Sequence, residues 1–315
     1  MLKSAPLPES NVPMSGKADS LKTIFHALGA NFLIFVAKFV AALVTGSGAM
    51  MAESVHSLAD CGNQVLLLFG VRQARRPPSP DYPLGHGREI YFWSFLVALM
   101  LFSVGGIFSI YEGWHKLYHP EPLTQPWWAL FVLLFSVVAE GWSMRTCMQE
   151  AEKAREGRSL WKWFRQSRQS ELIVVFGENL ADLLGLGAGL IAVIATMVTG
   201  DPMWDAIGTL VIGVLLVVVA VFVAVEVKAL LIGQSVEPAV HRAIYAYFNG
   251  RDEVKGVFSL ITMQMGSDIM VAVQAEMDFS LRGDELVKQI NAVEAGLKEQ
   301  FPQVKWVFFE PDNSD

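Results

Sequence analysis

Six transmembrane helices followed by a small two-layer α+β domain is the fold class this sequence predicts: an α-helical membrane protein with a soluble αββαβ end. Three observations predict it. Hydrophobic residues make up 53% of the 315 and charged residues only 17%, with a mean hydropathy of +0.39, whereas an ordinary soluble domain carries about a quarter charged residues. Apolar stretches of roughly 18 to 25 residues, the length that crosses about 30 Å of hydrocarbon, occur at 23–45, 49–71, 90–112, 127–148, 170–198 and 203–230. After Gly233 these runs give way to short amphipathic alternation. The net charge of −7 is spread over a long chain and gives no reason to expect nucleic-acid binding. The cysteines, Cys61 and Cys147, sit inside apolar runs and read as buried thiols.

Taken in order, residues 1–22 hold Pro6, Pro8, Pro13 and scattered charge, without a short apolar core ending in a small-residue cleavage site, and read as a disordered cytoplasmic tail. Residues 23–233 form the membrane domain. Lys and Arg collect in two of its loops, as Arg72, Arg75, Arg76 and Arg88 and as Arg145, Lys153, Arg155, Arg158, Lys162, Arg165 and Arg168. The turns at 45–48 and 199–202 have none, and the third has Lys116 nearby. Basic loops stay on the cytoplasmic side, so both termini are expected there. Trp127, Trp128, Trp161 and Trp163 at the span edges read as interfacial anchors.

Residues 234–315 form the cytoplasmic domain. Ala239, Val240, Ala243, Ile244, Tyr247 and Phe248 make one helical stripe, and Leu286, Ile290, Val293 and Leu297 a second. Phe258 and Leu260, a turn at Gly266, Ser267 and Asp268, and the alternation of Ile269, Val271, Val273, Ala275 and Met277 read as a hairpin; Val304, Trp306 and Phe308 make a last strand.

Ionisable groups inside spans are functional candidates, because each costs several kcal/mol unless it faces a partner or a wet cavity. Span two carries His56 and Asp60, and span five carries Glu178 and Asp182. Residues four apart are separated by about 40° and about 6 Å on a helix, so each pair points one way. Two such helices face to face offer four metal ligands. One imidazole and three carboxylates suit Zn²⁺, Co²⁺, Fe²⁺ or Mn²⁺. A structural hydrogen-bond network is the rival use of these residues, but three acids with no matching Lys or Arg make expensive glue. Glu140 serves either a proton relay or a bond to a neighbouring helix, and Asn179 either bridges helices or orients the ligands. Lys38 and Glu226 lie toward span ends and read as snorkelling side chains. Asp205 either attracts cations at the outer mouth or follows the preference for acids at helix starts. Gly105, Gly106, Gly185, Gly187 and Gly189 read as sites of close helix packing.

The paired ligands, the stretch from Ala52 to Asp60 (AESVHSLAD), the loop from Tyr82 to Arg88 (YPLGHGR), the six spans and the αββαβ tail together resemble the cation diffusion facilitator family of divalent-metal/proton antiporters, from about Lys22 to Glu310. The resemblance implies a ferredoxin-like soluble domain that pairs two protomers, and His56, Asp60, Glu178 and Asp182 as the transport site. It departs from the family at Glu178, where a His is common. Asp81 and His86 are the candidates for a secondary loop site; with Tyr82 where another His would stand, His86 reads as a loop-fixing residue between Gly85 and Gly87. The soluble domain holds one histidine, His241, and no clustered ligands. Some members join a basic residue after the loop His to an acid at the end of span six; Arg88 is present, but Leu231, Ile232 and Gly233 supply no acid.

The function expected is export of a divalent transition metal, zinc first and Mn²⁺, Fe²⁺ or Co²⁺ next, from the cytoplasm in exchange for protons. The metal is the substrate, and no permanent cofactor is expected. The expected setting is a bacterial inner membrane, and the partners are the bilayer, protons, metal ions and a second copy of the chain. The alternative is an intramembrane metal-dependent hydrolase, which needs an open coordination position and a separate base.

Overall fold

The computed structural model of the protein describes residues 20–155 and 157–313. The predicted tail lies outside these residues as far as residue 19, and Ser20 already opens the first helix, α1 (Ser20–Thr45). There follow α2 (Gly48–Ala74), α3 (Glu89–Met100), a π-helical stretch (Leu101–Ile107) that continues into α4 (Phe108–Tyr118), α5 (Pro126–Arg155), the short α6 (Leu160–Gln166), α7 (Ser170–Thr199) and α8 (Met203–Ile232). Among the described residues, four segments are long and apolar enough to cross a membrane: the continuous Glu89–Tyr118 rod, α5, α7 and α8. Each has 30 residues, about 45 Å at 1.5 Å per residue.

The first two helices differ for a physical reason. In α1 the apolar part is Asn31–Thr45, and in α2 the apolar run is broken by Glu53, Ser54, His56, Ser57, Asp60 and Asn63, all of them buried. Helix α2 packs against α1, α3, α7 and α8, so its polar side faces protein and its apolar residues Leu58, Val65 and Phe69 face out.

The start of α2 is pinned from the far end of the chain. Ser47 Oγ accepts from the Met50 amide at 3.2 Å and donates to Asp205 Oδ1 at 2.5 Å, and Asp205 Oδ2 accepts from the Gly48 amide at 2.7 Å. Lys116 Nζ lies 3.4 Å from the same carboxylate and also donates to the Gly46 carbonyl. Asp205 is buried. It sits in the first turn of its own helix, where acids are favoured, and its carboxylate also satisfies the free amides at the N-terminus of α2 instead of reaching out at the mouth.

Trp163 corrects the anchor reading. It is fully buried, edge-on to Phe176 at 5.7 Å, and fastens α6 to α7. Trp127, Trp128 and Trp161 are exposed, as anchors require. Glu226 does not reach for water alone but pairs with Arg165 at 3.0 Å. Both cysteines are free and buried.

Beyond α8 the elements come in the order the periodicities predict: α9 (Pro238–Asn249), β1 (Gly256–Met265), β2 (Asp268–Glu276), α10 (Gly283–Gln300) and β3 (Val304–Pro311). β2 is central, antiparallel to β1 and parallel to β3. Its Ile269, Val271, Val273 and Ala275 form one face with Ile244 and Phe248 of α9 and Val293 and Leu297 of α10. The opposite face carries the cross-strand rows Ile261–Ala272–Phe308 and Met263–Met270–Trp306. Gly266 adopts a φ of +69° at the first of two turn residues, the backbone that tight hairpins need.

That turn is docked on the membrane domain. The Gly266 amide donates to the Tyr91 hydroxyl at 2.8 Å, and the Met265 carbonyl lies so close to Gly87 that a Cβ there would collide with it. Arg88 donates to the Leu231 carbonyl, a backbone acceptor in place of the acid that the end of span six lacks. Arg158 pairs with Glu237 at 2.8 Å, and Arg168 Nε donates to the Ser235 carbonyl at 2.6 Å. Burial pulls the Arg168 guanidinium down from its ordinary range, while Glu237 and Glu226 oppose that shift.

Candidate metal centre

Helices α2 and α7 meet along a ladder of polar residues, with sequence rising on one helix and falling on the other. Asn63 meets Glu178, Asp60 and His56 meet Asp182, and Glu53 meets Gly185. Helical spacing makes this possible: 53, 56, 60 and 63 lie three or four apart, as do 178, 182 and 185, so each set occupies one face.

The middle rung is the metal-type site. His56 Nε2 is 2.7 Å from Asp182 Oδ1, and His56 Nδ1 is 3.8 Å from Asp60 Oδ1. Among the described residues, His56, Asp60 and Asp182 form a group whose ligand atoms all lie within 4.8 Å of one another, and all three are buried. Apart from the His56–Asp182 contact, the ring nitrogens of His56, Asp60 Oδ1 and Asp182 Oδ1 are buried without a hydrogen bond from outside the cluster. Buried acceptors are normally satisfied. An imidazole and two carboxylates that converge with no hydrogen bond from outside the cluster have the chemistry of a cation site, with ligand atoms that suit a divalent transition metal.

The fourth expected ligand stands one turn away. Glu178 Oε1 accepts from Asn63 Nδ2 at 2.6 Å, and Glu178 is outside the converging group. Glu140 of α5 is buried nearby, within electrostatic reach of Asp182, Lys38, His56 and Glu53. Asn179 bridges helices: its Oδ1 accepts from Ser143 of α5 at 2.7 Å and its Nδ2 donates to the Val175 carbonyl. It bonds to no ligand residue in these interactions. In the loop, Asp81 is exposed, and the His86 ring lies against Tyr82 at 4.4 Å with Nδ1 buried and unbonded.

Small residues open the space around the imidazole. Gly105 lies in the π-helical stretch, and a Cβ there would sit 3.5 Å from His56 Nδ1. π-helical turns recur at functional sites. Gly106 and Gly189 do pack closely on neighbours, whereas Gly187 has open space around it.

Residues 24–232 match the cation efflux transmembrane domain. The chain belongs to the cation efflux family. A mitochondrial proton-coupled zinc antiporter, SLC30A9 of Xenopus laevis, is 32% identical over 278 residues, 88% of this chain and 49% of that protein. The manganese efflux system protein MneP of Bacillus subtilis is 23% identical over 303 residues, covering 91% of this chain and 94% of MneP. The cation-efflux pump FieF of Pectobacterium atrosepticum is 26% identical over 271 residues, 86% and 85% of the two chains. The chain spans about half the length of the mitochondrial relatives it matches. These relatives are named as antiporters and efflux proteins, and the hydrolase reading is set aside.

For this cation efflux family chain, sequence reasoning missed two neighbours of the site. Asn63 holds Glu178, and the period of the α2 ladder points to it. Lys38 is the larger correction. It is not a snorkelling residue but fully buried, with Nζ 3.2 Å from Glu53 Oε2 and 2.8 Å from Ser57 Oγ. The acids of the bundle therefore do have a matching lysine, and the network reading cannot be dismissed for want of one. What favours a cation site is that the lysine bonds to Glu53 and Ser57, while the facing atoms of His56, Asp60 and Asp182 take no hydrogen bond from outside the cluster.

Proposed function

We propose that this chain exports a divalent transition metal from the cytoplasm in exchange for protons, by alternating access, as a homodimer in a bacterial inner membrane. The observation that carries the reading is the buried His56–Asp60–Asp182 cluster, whose facing atoms converge and take no hydrogen bond from outside it. In this reading α1 and α2 count as spans with the four longer segments, giving six, and both termini lie on the basic, cytoplasmic side.

His56, Asp60 and Asp182 receive the ion, and Glu178 turns from Asn63 to become the fourth donor. Ligands must be unprotonated to bind metal, so protons arriving from the opposite side compete for the same bases and release it. Rocking of the spans exposes the centre to one side and then the other. The donor set supports zinc first, with manganese, iron and cobalt as further substrates; relatives named as a zinc antiporter and a manganese efflux protein agree with that range. The αββαβ domain is read as ferredoxin-like, and its apolar face around Ile261 and Phe308, both exposed, as the surface a second copy covers.

The test is uptake into proteoliposomes of the full chain against a panel of Zn²⁺, Mn²⁺, Fe²⁺, Co²⁺ and Cd²⁺. At least one should be transported, and Glu178→His, which makes two imidazoles and two carboxylates, should raise the ratio of Zn²⁺ to Mn²⁺ transport. An unchanged or falling ratio would remove Glu178 from the site.

A further inference from the structure

The Lys38–Glu53 pair is the strongest feature that the transport site leaves unexplained. Lysine is almost never fully buried unless paired, and a buried ion pair is a poor source of stability, because well-packed apolar residues of the same volume do as well or better. Its position is more informative than its presence. Glu53 lies one turn before His56 on the same face of α2, and Ser57, the other partner of Lys38, follows His56 directly. The pair is therefore built onto the ligand helix from α1.

The pairing is also one-sided. Glu53 Oε2 takes the ammonium, while Oε1 is buried without a partner. That free oxygen points at α7, where a Cβ on Gly185 would sit 2.5 Å away, so glycine is what leaves room for it. Gly185 lies three residues from Asp182. The remaining charges acting on Lys38 are Asp182 and Glu140, and those acting on Glu53 include His56 and Asp182. Every one of these groups belongs to the centre or borders it.

We propose that Lys38 is a tethered counter-cation of the metal centre: by neutralising Glu53 it fixes the negative charge that the arriving ion meets, and so holds the affinity low enough for release. The inference rests on the proposed function, and deepens it by naming a residue that tunes binding without touching the metal. Within a low-dielectric bundle a unit charge several ångströms away acts strongly on an ion. Too many uncompensated carboxylates would trap a divalent cation, and too few would not draw it from water.

The sign of the effect separates this role from a structural one. Zinc binding is measured by calorimetry on the purified full-length chain, with Asp182→Ala as the control that identifies the site. Lys38→Met frees the Glu53 charge and should tighten Zn²⁺ on the order of a hundredfold; Glu53→Gln leaves the ammonium unopposed and should weaken it by a similar factor, as expected for one unit charge about 10 Å from a divalent ion at an effective dielectric near 20. Lys38→Met combined with Glu53→Gln should return affinity to within about threefold of the unaltered chain. A structural brace would instead shift both single variants in the same direction or neither, and that result would overturn the proposal. If either single variant does not fold, the double variant, which carries no unpaired charge, decides: a change beyond about tenfold would reject the cancellation. Zinc binding that is normal in the unaltered chain but insensitive to Lys38 and Glu53 would remove the inference alone. Absence of Asp182-dependent binding would remove the function reading and the inference with it.

Discussion

Asp182 is the residue on which the site depends most, because its Oδ1 stands 2.7 Å from His56 Nε2 and joins α7 to the ligands of α2. Asp182→Ala or Asp60→Ala removes one donor without a replacement, and each should abolish transport while leaving the chain folded, as checked by vesicle uptake beside size-exclusion profiles. Asn63→Leu is a finer probe. It strips the buried Glu178 carboxylate of its donor, which should lower the stability of the metal-free chain by about 1–3 kcal/mol, and saturating Zn²⁺ should restore most of the loss if Glu178 then ligates the ion. A melting temperature that metal does not rescue would keep Glu178 out of the coordination sphere. The facing of the His56–Asp60 and Glu178–Asp182 pairs was legible in the sequence because four-residue spacing on a helix is itself geometry. Lys38 and Asn63 were not, since their partners lie on other helices and are brought close by packing that no local period reports. A lysine near the end of an apolar run has snorkelling as its cheap option in sequence terms, and only the fold shows Glu53 opposite it.

Two contacts between elements set the frame in which those residues meet. Asp205 ties α8 to the first turn of α2 by accepting from Ser47 and the Gly48 amide while facing Lys116. Asp205→Ala should therefore destabilise the chain by about 3 kcal/mol or more, because it strands both the helix amides and a buried lysine; thermal denaturation in detergent measures it, and a loss within about 0.5 kcal/mol would mean that the cap is not needed. The second contact lies between the β1–β2 turn and the start of α3. Gly87→Ala would push a methyl into the Met265 carbonyl, so the turn must give way; amide exchange at Gly266, whose N–H is bonded to Tyr91, should accelerate. Unchanged exchange would show that the two domains do not bear on one another there. The strands and helices of the soluble domain could be read from periods of two and 3.6, and even the turn at Gly266 was legible. The docking of that turn was not, nor was the π-helical stretch at Leu101–Ile107, because Gly105 and Gly106 signal close approach in a sequence without saying which backbone geometry delivers it.

At the scale of the whole molecule, the apolar rows Ile261–Ala272–Phe308 and Met263–Met270–Trp306 form a face of the sheet that no helix covers among the described residues. Phe308→Glu places a charge there and should shift the full-length chain from dimer toward monomer without unfolding the sheet, as read by sedimentation in detergent. A dimer of unaltered stability would place the interface elsewhere. Composition was enough to announce a membrane protein. In the proposed function the identity of the ion is not written at that scale, because it turns on whether Glu178 leaves Asn63 to join the site.

The central claim is that one buried cluster carries metal in one direction and protons in the other. Proteoliposomes of the full chain, loaded with a pH-sensitive dye and given Zn²⁺ and an imposed pH gradient, measure both movements at once. The account predicts that zinc enters as protons leave, that collapsing the gradient slows zinc accumulation, and that Asp182→Ala abolishes both movements together. Zinc accumulation that is indifferent to the gradient, or that persists at full rate in Asp182→Ala, would contradict it.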